Sequence, residues 1–291
     1  MDLLEEIQSH PLCGDGAMET LLLDRGVPED QCVEELCLSR PELIREIHQE
    51  YITAGARIIK TNTFGANQIH LARYGLAGHV NEINWQAAQL AGQAAKGAFV
   101  AGSVGPLSVS LATAISQGID REECFRTQMG ALLDSGVDLI FLEGFSDLDE
   151  LLLALRIKQS LHHCPAICSL APGAEGRLPN GTSLSDAFAS LARAEADIVG
   201  INCMKPEETL RLVEGLPDHE WIIAALPGAG RRHYHSERYL HDISPKTFAE
   251  VGILISSRGV RIIGGGYGTT PAHIAALAEA ISAKRTAQGR L

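Results

Sequence analysis

The feature that most constrains this chain is a regular alternation of short apolar runs with amphipathic segments. Such runs fall at Leu12 to Met18, Arg57 to Asn62, Phe99 to Val104 and Asp138 to Glu143. Four more follow at Ala166 to Leu170, Asp197 to Cys203, Trp221 to Leu226 and Arg261 to Gly265. Between them apolar residues recur at three- and four-residue steps, as in Pro41-Glu42-Leu43-Ile44-Arg45-Glu46-Ile47-His48, the spacing of one helix face. Helix starts are signalled by Ser39 before Pro41, Asp120 before Arg121, Ser244 before Pro245 and Thr270 before Pro271. Small residues leave the helices at Ala54-Gly55-Ala56, Ser135-Gly136 and Arg258-Gly259.

Strand, helix and strand repeated with right-handed crossovers make a parallel sheet. Eight such units predict an α/β fold that closes as a (β/α)8 TIM barrel, a single domain over residues 1–291 with its core from about 10 to 285. The alternative is an open doubly wound sheet. It calls for a G-x-G-x-x-G turn after the first strand, and Cys13-Gly14-Asp15-Gly16-Ala17-Met18 supplies only the first two glycines. The longest irregular stretch, Pro227 to Ser244, reads as a loop that belongs to a site or a lid.

Charge narrows the partners. Lys and Arg number 24 against 36 Asp and Glu, a formal net charge of −12, which disfavours binding to a phosphate backbone. No apolar stretch reaches the ~18 residues of a membrane span, and the acidic start Met1-Asp2-Leu3-Leu4-Glu5-Glu6 lacks the features of a secretory leader. A cytoplasmic protein is expected. The seven cysteines are odd in number and scattered, unlike a disulfide framework. Cys164-x-x-x-Cys168 straddles the start of an apolar run and reads as buried thiols rather than metal ligands.

In such barrels the chemistry collects at the C-terminal ends of the strands. The residues expected there are Asp15, Asn62, Thr63, Ser103, Glu143, Ser169, Asn202, Cys203 and the run Gly264-Gly265-Gly266-Tyr267. Two carboxylates with several amide and hydroxyl groups suit a small zwitterion, whose ammonium the carboxylates would take. Asp15, beside glycines, equally suits the shaping of a turn, and Glu143 equally suits pairing with a core Lys or Arg.

Several segments resemble the homocysteine S-methyltransferase family. Asp15-Gly16-Ala17-Met18-Glu19-Thr20 is similar to its D-G-A-M-G-T opening. Lys60-Thr61-Asn62-Thr63-Phe64-Gly65-Ala66-Asn67 is similar to its E-T-N-T-F-G-A-N segment, and Gly102-Ser103-Val104-Gly105-Pro106 to its G-S-I-G-P. Gly200-Ile201-Asn202-Cys203 matches its G-x-N-C, and Gly264 to Ile274 follows its G-G-C-C-G-T-x-P-x-H-I ending. The resemblance implies a TIM barrel in which zinc, held by three cysteine thiolates, binds the thiol of homocysteine. Coordination deprotonates a thiol that is otherwise a few per cent thiolate at neutral pH.

The chain departs from that pattern where the metal would sit. Cys203 is retained, but Gly266 and Tyr267 stand in place of the paired cysteines. Gly144 follows Glu143 where the family has Thr, and Leu226-Pro227-Gly228-Ala229-Gly230 stands for Y-P-N-A-G. His233, His235 and His241 offer imidazoles nearby, yet Arg231, Arg232 and Arg238 among them suit an anion or a solvated loop better. His273 reads as a packing or capping group at the start of the last helix. Cys203 is left as an inert buried thiol, a ligand remnant or a nucleophile.

The resemblance therefore implies methyl transfer between a donor and homocysteine or a related small thiol or amino acid, with an incomplete zinc site. Cys203, Glu143 and Asp15 are the expected catalytic groups. Asp15, Gly16, Asn62, Thr63, Ser103, Glu143, Asn202 and Tyr267 are the expected substrate contacts. The cofactor is open, zinc being the family's metal. The methyl donor is left open, a corrinoid or folate carrier being a separate protein if one takes part, and no nucleic acid or membrane partner is expected. The competing expectation is a non-catalytic or metal-independent paralogue that binds a ligand or scaffolds a methyl-transfer complex.

Overall fold

Each of the eight apolar runs contains a strand of the computed structural model, which describes residues 2–173, 175–235 and 238–288. In chain order these are β1 (Leu12–Cys13), β2 (Ile58–Lys60), β3 (Phe99–Val104), β4 (Leu139–Phe145), β5 (Ala166–Leu170), β6 (Ile198–Asn202) and β7 (Ile223–Leu226). Next come β8 (Arg232–His235) and β9 (Arg238–His241), before the last barrel strand β10 (Ile262–Ile263).

The barrel strands pair in parallel in the order β1-β10-β7-β6-β5-β4-β3-β2. A parallel bridge from Gly14 to Ile58 joins the two ends. Asp15 N donates to Ile58 O at 2.9 Å and Arg57 N to Cys13 O at 2.7 Å, so no sheet edge is left between β1 and β2. The open doubly wound sheet is thereby excluded.

The barrel interior obeys the two-residue period of a strand. One apolar cluster collects Leu12, Ile58, Ala101, Leu139, Phe141, Ile167, Ile198, Ala224, Leu226 and Ile262. Helix Leu3–Ser9 adds Leu3 and Ile7 to it, closing the bottom of the barrel. Two residues further along the strands the layer turns polar: Ile58 leads to Lys60, Ala101 to Ser103, Phe141 to Glu143, Ile167 to Ser169 and Gly200 to Asn202. A larger cluster, with Tyr51, Phe125, Phe145, Phe188 and Phe248, fills the space between barrel and helices.

The helix starts follow the sequence except at one position. Asp120 accepts from Glu123 N at 3.0 Å and Ser244 from Thr247 N at 3.1 Å, as N-caps do. Ser39 instead closes the short helix Leu36–Ser39 and bonds Glu35 at 2.9 Å, so that Arg40 precedes helix Pro41–Thr53. The stretch from 227 to 244 is also more ordered than a loop, because β8 and β9 pair as an antiparallel hairpin in register Arg232↔His241 to His235↔Arg238. Among the described residues no helix is long and apolar enough to cross a membrane.

Candidate functional site at the barrel mouth

The polar layer gathers around one side chain that motif reading passes over, Lys60. Its Nζ lies 3.3 Å from Asp15 Oδ1 and 3.6 Å from Glu143 Oε2. The Lys60 backbone N–H donates to Asp15 Oδ2 at 2.7 Å, so both oxygens of Asp15 face the same residue. The ammonium also sits 5.8 Å from the centre of the Phe141 ring, within the reach of a cation–π contact. The expectation that Glu143 pairs with a core cation is therefore what the fold realises. The signal was present in the sequence: Lys60 stands where the similar family segment opens with Glu.

Glu143 is further held by hydrogen bonds. Ser103 Oγ donates to its Oε1 at 2.5 Å, and Asn202 Nδ2 to its Oε2 at 3.4 Å. Asn202 Oδ1 accepts from Cys203 N at 2.7 Å and from Cys203 Sγ at 3.5 Å. Residues at the ends of β1, β2, β3, β4 and β6 thus form one chain of polar contacts. Ser169, on β5 within the same layer, is fully buried, and no described protein group bonds its Oγ.

Burial sets the protonation of these groups. Removal from water pushes the Asp15 carboxyl up to about 6, although Lys60 opposes the rise and Glu143 adds to it. Burial by itself would lower Lys60, but the carboxylates of Asp15 and Glu143 outweigh it and hold the ammonium above its ordinary value. The mouth therefore carries its own buried cation at neutral pH.

The other expected site residues also make contacts within the fold. Thr63 Oγ1 donates to Ser103 O at 2.7 Å and meets Thr61 Oγ1 at 2.6 Å, stapling the end of β2 to β3. Asn62 Nδ2 donates to Val33 O at 2.7 Å, away from the Lys60 cluster, and holds the neighbouring segment to the rim. A Cβ on Gly16 would come within 2.7 Å of Thr269 Oγ1 and 2.8 Å of Tyr51 Oη, which explains a residue without a side chain there. The Tyr267 side chain is about half exposed at the rim, with 47% of its surface accessible.

Cys203 is exposed rather than buried, and its φ is +67°, a conformation costly for a residue with a Cβ. Desolvation of the sulfur and the charge of Glu143 push its thiol up to about 11, against the pull of Lys60. An inert buried thiol is thus the wrong description. The other six cysteines are buried or half-buried, and all seven are free.

The donor set does not fit a three-thiolate zinc centre. Cys203 is the sole thiol among the residues named at this end of the strands. A Cβ at Gly266 would meet Leu226 O at 2.7 Å and Asn202 Oδ1 at 3.2 Å, so the backbone has closed over the place of a second ligand. Among the described residues no three His, Cys, Asp or Glu side chains are grouped to hold a metal ion. His233 Nε2 is bonded to Asp242 Oδ1 at 2.6 Å, and His241 Nε2 to Asp24 Oδ2 at 3.3 Å. The side chains of Arg232, His235 and Arg238 lie outside the described residues. His273 accepts from Thr270 N at 3.2 Å and donates from Nε2 to Ile243 O at 2.9 Å, which makes it a capping and packing group.

A closed parallel barrel whose polar groups converge at the C-terminal strand ends is the architecture of a TIM-barrel enzyme. Residues 12–281 match the homocysteine S-methyltransferase family, and the chain belongs to that family of methyltransferases. The solved structure of the homocysteine methyltransferase MmuM from Escherichia coli, in its metallated form, is 27% identical with a TM-score of 0.76, and the match covers 95% of this chain and 99% of that one. Methionine synthase of Mycobacterium leprae is 29% identical over 97% of this chain, and that of Mycobacterium tuberculosis 28%. The chain spans 25% of the length of those two relatives.

Proposed function

We propose that the barrel mouth transfers a methyl group to the sulfur of a small thiol, and does so without a three-thiolate zinc centre. The observation that carries this reading is the Asp15–Lys60–Glu143 cluster beside Cys203, where the family fold retains a charged, buried polar layer but one thiol. Family membership and the names of the relatives support methyl transfer to sulfur. The donor set supports its occurrence without zinc.

In the step itself the acceptor sulfur attacks the methyl carbon. The new S–C bond takes the sulfur lone pair, and the donor leaves with the electrons of its own bond to carbon. The thiol proton passes to the Asp15 carboxylate, whose raised pKa of about 6 places it in the range useful to a general base. Lys60 favours the thiolate by its charge, as it does for Cys203. With Asp15 and Glu143 ionised against Lys60, the cluster carries −2 + 1 = −1. That sign suits a cationic donor such as a methylsulfonium, whose thioether leaves neutral with the electron pair of the broken S–C bond.

The test is incubation of the purified protein with a methylsulfonium donor and a panel of small thiols, with the thioether product read by mass spectrometry. Product should form without added zinc, and Asp15→Asn should slow its formation at pH 7. Absence of thioether from every thiol, with zinc or without it, would sink the proposal.

A further inference from the structure

Resting on the reading above, we propose that Phe64 and Tyr267 form the subsite for the methyl donor, and that their ring faces hold a methylsulfonium by cation–π contact above the anionic Lys60 cluster. Both side chains are half exposed at the barrel mouth, each with 47% of its surface accessible. They stand on different sides of the cluster. The edge of the Phe64 ring lies over the ends of β3 and β4, where a Cβ on Gly105 would come 2.7 Å from its Cε2 and a Cβ on Gly144 3.3 Å from the same atom. Those glycines lie two residues past Ser103 and next to Glu143. The backbone under the ring is fixed, since Gly105 N donates to Phe64 O at 2.9 Å and Gly65 N to Glu34 Oε1 at 2.8 Å. Tyr267 is set beside β6 and β7. Ala229 N donates to its carbonyl at 2.8 Å, and a Cβ on the preceding Gly266 would meet Asn202 Oδ1 at 3.2 Å. Asn202 in turn bonds Glu143, so each ring is tied through its neighbours to the same carboxylate.

A ring half in water adds little to the core, whereas its face offers a cation the negative side of the π quadrupole. The floor beneath has the matching sign. Asp15 and Glu143 ionised against Lys60 leave −2 + 1 = −1, and Cys203, its thiol pushed up to about 11, adds no charge at neutral pH. A sulfonium at the rings is therefore attracted from the floor as well as from the walls. Once its methyl group has passed to the acceptor, the donor is a neutral thioether, the attraction is gone and the product is released. Two departures from the family pattern serve this subsite. Tyr267 brings a π face where the similar family ending has a thiol. Gly144, at φ +76°, leaves room for the Phe64 ring where the family has Thr, whose branched side chain would press on it.

Calorimetry with S-methylmethionine and homoleucine tests the inference, since the two differ only in a sulfonium centre against a CH group of the same shape. Wild-type protein should bind S-methylmethionine at least about tenfold tighter. Phe64→Leu and Tyr267→Leu, which keep an apolar side chain without a π face, should each lower that ratio by about threefold or more. The wild-type comparison needs no variant and stands if either variant does not fold. Equal wild-type binding of the two ligands overturns the inference, as does absence of S-methylmethionine binding, and methyl transfer to a thiol is then decided by the thioether assay alone. A ratio unchanged in both variants, even where both affinities fall together, also overturns it, marking the rings as apolar walls.

Discussion

Lys60 holds Asp15 twice, with its backbone N–H at 2.7 Å from one carboxylate oxygen and its ammonium at 3.3 Å from the other. Even so, the Asp15 carboxyl titrates near 6 rather than at its ordinary 3.8, because desolvation is the larger effect. The native state then keeps a proton that the unfolded chain releases between those two values. Stability from this group is highest below pH 3.8 and is lost as the pH rises through about 6, by of the order of 3 kcal/mol. Asp15→Asn removes the titration. In urea unfolding, wild type should lose ground to the variant from pH 4 to pH 7; a pH-independent gap would refute the assignment.

Cys203 combines exposure with a thiol pKa of about 11. At pH 7 roughly one part in ten thousand is thiolate. Peptide-level alkylation by iodoacetamide should therefore be slow at pH 7 and rise close to tenfold per pH unit up to pH 10. Lys60→Met removes the charge that favours the thiolate and should slow the reaction further. Fast labelling at pH 7 would contradict both statements.

Metal content follows from the donor set. Protein purified without chelator should contain well under one zinc per chain, and EDTA should leave its Tm unchanged. Gly266→Ala should destabilise the fold by about 1–3 kcal/mol, the usual range for overpacking, since its Cβ would meet Leu226 O at 2.7 Å. A stoichiometric zinc, or a Gly266→Ala variant as stable as wild type, would show that the mouth is more open than its geometry indicates.

The barrel was legible because its determinants are local and periodic. Eight apolar runs, each followed by a helical pattern, leave few topologies, and closure needed only the Gly14–Ile58 bridge. The strands β1 and β10 are shorter than their apolar runs, each ending after two residues where glycines begin. The role of Lys60 depends on register: nothing local in Ile58-Ile59-Lys60 tells that Nζ ends between carboxylates on β4 and after β1. Asn62 and Thr63 look like mouth residues by position, yet their hydrogen bonds run to Val33 and to the β3 backbone. The β8–β9 hairpin was hidden because its arginines, histidines and tyrosines lack the apolar alternation of a half-buried strand.

Helix Leu3–Ser9 closes the barrel end opposite the mouth. Ile7 is fully buried among the interior residues of the strands, so Ile7→Ala leaves a cavity that the surrounding barrel cannot fill. A loss of about 2–5 kcal/mol is expected, with thiol affinity unchanged because the apolar layers separate Ile7 from Lys60. A change in affinity larger than twofold at constant fold would mean that bottom and mouth are coupled.

Ser169 separates stability from binding. Its hydroxyl is fully buried and unbonded by any described protein group, a state that costs about 1–3 kcal/mol for a polar group. Ser169→Ala removes the hydroxyl while keeping the Cβ that packs 3.2 Å from the position a side chain on Gly200 would occupy. The variant should unfold at a higher temperature than wild type. It should also bind the acceptor thiol more weakly, because one polar group of the barrel mouth is gone. A hydroxyl retained for the ligand predicts these two opposite changes together. A variant that is both less stable and equally good at binding would instead mean that Ser169 supports the barrel and never meets the ligand.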